Sequence, residues 1–311
     1  MRILFITANR IGDAVLTTGL LHHLVKTYPE ARFTIACGPV TADLFRATPR
    51  LENLIRLQKQ KRHGHWIDLW KTCVTTKWDI IIDLRNSLIT RLLWSQKKYY
   101  RLSHNTGRHK VEDHASVMKL SPPPAPHIWT DEAAESNATK LIQDESKILA
   151  LGPSANWPPK QWPIARYAEL TKRLTQENGP LQDAKIMLLA APHEKDQLAL
   201  FCESFPKEKI IDLVGQDLLT VAACLKHATF FIGNDSGLTH IAAAMGTKTL
   251  ALFGPGWEEV YGPWGAHASV LRPRFGSQEL LDRLPYVGAD APNLMEDIEV
   301  ETVVERIQNI L

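Results

Sequence analysis

The chain opens on an apolar, β-rich run at residues 2–7, passes through a polar loop at 8–13, and enters an amphipathic helical pattern over 14–28 that Pro29 ends. Further apolar runs at 32–36, 80–84 and 99–102 are separated by helical periodicity. Short strands without polar alternation, spaced by helices, predict a parallel sheet covered on both faces. Residues 121–126, Ser-Pro-Pro-Pro-Ala-Pro, break the pattern. Proline offers no N–H to a ladder, so this stretch reads as a linker. Beyond it, strands at 148–151, 186–190 and 210–214 alternate with helices at 164–177, 194–202 and 218–226. Residues 229–255 then read as strand, polar loop, helix and strand, and 300–307 close the chain as a short amphipathic helix. The expected class is α/β with two doubly wound domains.

Composition supports two domains of ordinary size, with 311 residues and 44% hydrophobic content. A net charge of +2 hides an asymmetry: residues 1–120 hold 20 Lys and Arg against 9 Asp and Glu, a net of +11, while 121–311 hold 16 against 25, a net of −9. The first half is therefore expected either to face an anionic partner or to carry solvated basic helix faces. Its candidate contact residues are Lys59, Lys61, Arg62, Lys97, Lys98 and Arg101, joined by Arg108 and Lys110. No nucleic-acid-binding motif accompanies them. The four cysteines form no Cys-x-x-Cys pair and lie in apolar surroundings, so reduced thiols and a cytoplasmic setting are expected. No apolar run approaches the roughly 18 residues that cross a bilayer, which leaves contact with a membrane surface as the furthest expectation.

The loop Gly233-Asn234-Asp235-Ser236-Gly237 carries the sharpest chemistry. A helix that starts at Gly237 turns its unpaired N–H groups and positive dipole end outward, which suits a phosphate. An ordinary capped turn would look the same. Thr239 and His240 follow on that helix, and His240 reads equally as a donor to the anion or as a satisfied buried histidine. Lys160 stands before Trp162-Pro163, after the loop that holds Ser154 and Asn156, where an ammonium can reach a phosphate. Asp13 lies where the first strand's loop meets the first helix, the position at which a parallel sheet opens its ligand crevice, and a helix-capping role fits there too. No Gly-x-Gly-x-x-Gly turn follows the first strand, which argues against a dinucleotide oxidoreductase. The absence of any Asp-x-Asp pair argues against a carboxylate-held divalent ion, so neither a metal nor another cofactor is expected.

Asp235-Ser236-Gly237-Leu238-Thr239-His240, Ala242 to Gly246 and Leu252-Phe253-Gly254-Pro255 resemble the signature of the lipopolysaccharide heptosyltransferases, the family-9 glycosyltransferases. Gly12-Asp13, residues 79–84, Lys160-Gln161-Trp162-Pro163 and residues 261–265 fall in that family's order. The resemblance implies a GT-B fold, two Rossmann-like domains facing a central cleft. Their expected bounds are 1–145 for the acceptor and 146–285 for the nucleotide sugar, with 286–311 returning to pack on the first domain. It also implies an inverting, metal-independent transfer of heptose from ADP-heptose to the lipopolysaccharide inner core, an anionic glycolipid at the inner face of the inner membrane. Asp13 would be the general base, and Lys160 would stabilise the departing diphosphate. Ser154, Asn156, Asp235, Ser236, Gly237, Thr239 and His240 would hold the donor, and the basic residues named above the acceptor. Ala155 and the prolines 158 and 159 depart from the family's usual loop, which commonly carries a polar pair there. A same-fold transferase with another donor or acceptor, and a binding protein without catalysis, remain alternatives.

Overall fold

The structure is a computed structural model that describes residues 1–101, 106–143, 146–288 and 290–311, excluding the side chain of His63. Leu102, expected at a strand end, and the His63 side chain in the basic cluster lie outside the described residues. The chain divides into two compact units, Met1–Asp131 and Glu132–Leu311.

The first unit is built on five parallel strands, β1 (Arg2–Ile6), β2 (Arg32–Cys37), β3 (Leu51–Arg56), β4 (Trp78–Asp83) and β5 (Ser95–Tyr100), in the order β3-β2-β1-β4-β5. Ile3 to Ile6 and Ile80 to Ile82 are buried, as central strands of a doubly covered parallel sheet require. Helices α1 (Ile11–Thr27), α2 (Gly64–Cys73) and α3 (Lys110–Ser116) cover it. The sequence reading missed β3, because Leu51-Glu52-Asn53-Leu54-Ile55-Arg56 is an edge strand with half its residues exposed and so lacks the apolar run.

The proline-rich stretch is not a free linker. It lies against α1: a Cβ on Gly19 would overlap the Pro124 carbonyl and stand 2.7 Å from that of Ala125. The His127 N–H donates to Thr18 Oγ1 at 2.9 Å, and Ile128 is buried. A segment rich in proline has few N–H groups to satisfy, so it can run as a strap over a helix without a ladder of its own.

The second unit starts with α4 (Glu132–Ile142), which packs on α7 (Leu218–Lys226). Its six strands are β6 (Ile148–Gly152), β7 (Lys185–Leu188), β8 (Ile210–Asp212), β9 (Phe230–Asn234), β10 (Thr249–Leu252) and β11 (Ala268–Leu271), all parallel, in the order β11-β10-β9-β6-β7-β8. The remaining helices are α5 (Ile164–Thr175), α6 (Ala199–Glu203), α8 (Gly237–Ala244), α9 (Glu258–Tyr261), α10 (Ser277–Asp282) and α11 (Val300–Gln308). Where one helix was expected over 194–202, a 3-10 turn at Pro192–Leu198 precedes α6. Val300, Val303, Val304 and Ile307 of α11 belong to the second unit's core, where α11 packs on α5.

Both sheets reverse their strand order at one point, between β1 and β4 in the first unit and between β6 and β9 in the second. Loops leaving the carboxyl ends of such neighbours diverge to opposite faces and open a crevice. At the second of these points the paired residues Gly152 and Gly233 are both glycine, and an added Cβ on either would come within 2.9 Å of the Phe231 ring. Cys37, Cys73, Cys202 and Cys224 are free thiols, and burial pushes Cys73 and Cys224 up to about 12.

Candidate functional site

At the β6/β9 switch point the loop after β6 carries Lys160 and the loop after β9 carries Asp235, and the Lys160 Nζ donates to Asp235 Oδ2 in a short ion pair. The pair is half-sheltered, with side chains 24% and 9% exposed. Sequence places it there by local means. Trp162, two residues after Lys160, is buried against Tyr167 in an edge-on contact at 4.9 Å and donates through Nε1 to the Ile298 carbonyl at 2.8 Å. Pro163 caps α5, so the loop is pinned at its far end and Lys160 is left outside the core.

Asn234, fully buried at the end of β9, ties the two loops together. Its Oδ1 accepts from the Trp162 N–H and the Tyr167 hydroxyl, both at 3.0 Å, and its Nδ2 donates to the Pro153 carbonyl at 2.6 Å. The sequence reading took Asn234 only as a turn residue. An amide closing a strand of buried apolar residues is the signal that it missed.

Ser236 is the extended N-cap of α8, and its buried Oγ has no hydrogen-bond partner among the described residues. Gly237 opens the helix two positions after Asp235, so the first-turn N–H groups follow directly on the residue that holds Lys160. Thr239 and His240 lie beneath this loop rather than on its surface: both are buried, and Thr239 Oγ1 donates to the Asn234 carbonyl at 2.6 Å. Ser154 is buried too, its hydroxyl donating to Glu194 Oε2 at 2.7 Å, while Asn156 is exposed. Glu194 also accepts from the Ala191 N–H at 2.7 Å, so one carboxylate braces the loops after β6 and β7.

The loop after β10 completes the wall. A Cβ on Gly256 would overlap Asp235 Oδ2, so only glycine lets this backbone lie on the acid. Ser277 Oγ donates to the Gly256 carbonyl at 2.6 Å and accepts from Arg272 Nη2 at 2.9 Å, and Arg272 pairs with Glu258 at 3.7 Å. The sequence does not single out Glu194, Gly256, Arg272 and Ser277, because the contacts that bring them to this wall, Glu194 with Ser154, Gly256 with Asp235 and Ser277 with Gly256, are distant in sequence.

In the first unit Asp13 is half-buried in the first turn of α1. The N-cap is Arg10, which leaves Asp13 at the third helical position, where a carboxylate is favoured by the dipole without being the cap. Across the β1/β4 switch point, fully buried Asp83 accepts from the N–H groups of Arg85 and Ser87, both at 2.9 Å, and from the hydroxyls of Ser87 and Thr90 at 2.6 and 2.7 Å. These bonds set Arg85, whose Nη1 donates to Asn9 Oδ1 at 2.8 Å and whose guanidinium lies 4.9 Å from the Trp66 ring centroid. Burial lowers the Arg85 pKa, and Asp83 counters it. Arg85 thus adds a fixed cation near the Asp13 loop that the sequence reading did not select.

The basic residues do not form one patch. Lys59, Lys61 and Arg62 are exposed between β3 and α2, at one edge of the sheet. Lys97 and Lys98 lie on β5 at the other edge, about 19 Å away at the usual strand spacing. As neighbours on a strand these two point to opposite faces. Arg101 follows β5 half-buried, and Lys110 is buried in an ion pair with Asp113 at 3.3 Å, so Lys110 adds nothing to a surface.

A family model described as glycosyltransferase family 9 (heptosyltransferase) matches residues 93–284. Lipopolysaccharide heptosyltransferase 2 of Salmonella typhimurium is 24% identical over 357 residues, covering 100% of this chain and 99% of the relative. The solved family-9 glycosyl transferase from Veillonella parvula matches with a TM-score of 0.82 at 22% identity, covering 99% of this chain and 96% of that one. E. coli heptosyltransferase WaaC with ADP-2-deoxy-2-fluoro heptose matches with a TM-score of 0.74 at 20% identity over 100% of both chains. These likenesses fix the fold as GT-B, two parallel-sheet α/β domains. The family match spans more than half of the chain and takes in both loops of the second switch point, and on it the chain belongs to glycosyltransferase family 9 (heptosyltransferase) and is a glycosyltransferase.

Proposed function

We propose that this glycosyltransferase moves a heptose from ADP-heptose to the inner core of lipopolysaccharide, or to a related anionic core acceptor, by one inverting displacement that needs no metal ion. The observation that carries the reading is the Lys160 ammonium held by Asp235 beside the N-terminus of α8. Breaking the sugar–phosphate bond builds negative charge on the departing diphosphate. A fixed cation and outward N–H groups stabilise that charge more in the transition state than in the bound donor, which is what lowers a barrier. The amides of Ser236 and Gly237 take phosphate oxygens, and Asp235 both orients Lys160 and accepts from the donor sugar. Ser154 and Asn156 border the same loop, while Thr239 and His240 support it from below. The ADP-heptose analogue named with the E. coli WaaC structure supports this donor class.

Asp13 serves as the general base that takes the acceptor hydroxyl's proton, help typically worth about 10²–10⁴-fold. A single attack on the anomeric carbon, with ADP leaving from the opposite side, inverts that centre. Lys59, Lys61 and Arg62 at one edge of the first sheet, and Lys97, Lys98 and Arg101 at the other, receive separate carboxylates and phosphates of the acceptor. The work is cytoplasmic, at the inner face of the inner membrane. Incubation with ADP-heptose and heptose-free core acceptor in EDTA, read by product mass, tests this directly. The acceptor should gain one heptose despite the chelator. Asp13→Asn should lose turnover by about 10²–10⁴-fold while still binding donor. Transfer that stops in EDTA and returns with magnesium would contradict the metal-free route, and transfer only from another sugar nucleotide would reassign the donor.

A further inference from the structure

From residue 84 to residue 111 the chain has no Asp or Glu, yet it has seven Lys and Arg. Within this stretch a 3-10 turn at Leu88–Leu92 faces Thr90 and Leu93 inward and leaves Leu88, Leu92 and Trp94 77%, 68% and 54% exposed. Arg91 lies between the two leucines, also exposed, with its guanidinium 5.2 Å from the Tyr100 ring centroid. The Lys98 Nζ donates to the Arg91 carbonyl at 2.9 Å, and β5, an edge strand, exposes Lys97 beside them. Asp83, which the turn wraps, is fully buried and screened by its own hydrogen bonds.

Single exposed apolar side chains are ordinary on a soluble surface. Three large ones within seven residues, flanked by Arg91, Lys97 and Lys98, with Asp79 engaged by Gln96 at 3.1 Å, are a different pattern. Tryptophan favours the headgroup level of a bilayer, and Lys or Arg near an anionic leaflet adds attraction. We propose that this surface of the first unit docks on an anionic phospholipid bilayer, with Leu88, Leu92 and Trp94 entering the headgroup region and Arg91 and Lys97 pairing with lipid phosphates. Charge complementarity favours a bilayer over a second copy of the chain. A two-fold interface would set this cationic surface against itself, and like charges there repel. The glycolipid acceptor of the proposed function gives the docking its purpose, but the binding needs neither donor nor acceptor.

Sedimentation of the full chain with vesicles of phosphatidylcholine containing phosphatidylglycerol, and with phosphatidylcholine alone, tests the surface in the absence of glycolipid. Binding should require the anionic lipid and weaken in high salt. The triple variant Leu88→Ser, Leu92→Ser, Trp94→Ser should lose about tenfold or more in vesicle affinity. Its melting temperature, and its transfer to a lipid-free, water-soluble core acceptor, should match the wild type. Arg91→Glu, at an exposed side chain, should weaken vesicle binding about tenfold as well. Vesicle binding that is absent in the wild type, or unchanged in both variants, overturns the proposal. A wild-type dimer that the triple variant dissolves also overturns it, in favour of a second copy. Transfer to soluble acceptor separates the two ideas: intact transfer without vesicle binding sinks only the docking, and vesicle binding without transfer sinks only the assigned reaction.

Discussion

Lys160 is held in place by three buried residues. Trp162 and Tyr167 anchor its loop in the core, and Asn234 joins that loop to the one that bears Asp235. Asn234→Ala leaves a Trp162 N–H, a Tyr167 hydroxyl and a Pro153 carbonyl buried without their partner, at about 1–3 kcal/mol for each unsatisfied group. Thermal unfolding should therefore fall by several degrees or more, and a melting curve unchanged from wild type would show that water replaces the amide. The motif residues themselves were legible, since strand, turn and helix signals converge on residues 230–244. The amide's role was not, because its three partners lie 67 to 81 positions away.

His114 supplies a pH effect at the same scale. Burial, then the nearby Arg101, lowers its pKa to about 3, with Lys110 and His109 adding to the fall and Asp113 opposing it. An unfolded histidine titrates near 6.5, so between that value and about 3 the unfolded chain binds the extra proton. Stability is then fully present above about pH 6.5 and declines as pH falls, by up to about 1.4 kcal/mol per unit. His114→Gln should flatten the slope of melting temperature against pH between 7 and 5, whatever it does to the absolute value. A slope identical to wild type would assign the acid sensitivity to other groups.

Elements were legible where they are buried on both sides. The central strands β1, β4, β6 and β9 read as apolar runs because a doubly covered parallel strand has no solvent face. Edge strand β3 did not, and the α11 sequence could not say which core its valines would enter. The proline-rich strap is the instructive case. Its composition reads as a spacer, yet its carbonyls at 124 and 125 sit so close to Gly19 that no larger residue fits on that face of α1. Gly19→Ala should displace the strap, cost about 1–3 kcal/mol as an overpacked contact does, and expose residues 121–127 to limited proteolysis. Wild-type resistance to the protease in this variant would mean that the strap can shift without detaching.

At the scale of the molecule, charge follows the division into units. Met1–Asp131 holds 20 Lys and Arg against 10 Asp and Glu, while Glu132–Leu311 holds 16 against 24. Under the proposed function, the basic unit would recognise the anionic acceptor and the acidic unit would bind the anionic donor through one local cation and helix amides. An acidic unit attracts a diphosphate only where Lys160 and the α8 N-terminus reverse the local field. Calorimetric titration with ADP and with AMP, on the wild type and on Lys160→Ala, isolates that point because the two nucleotides differ by the outer phosphate. Wild type should prefer ADP by about tenfold or more, and Lys160→Ala should lose most of that preference while binding AMP as before. A preference for ADP that survives intact in Lys160→Ala would place the diphosphate elsewhere and contradict the site described here.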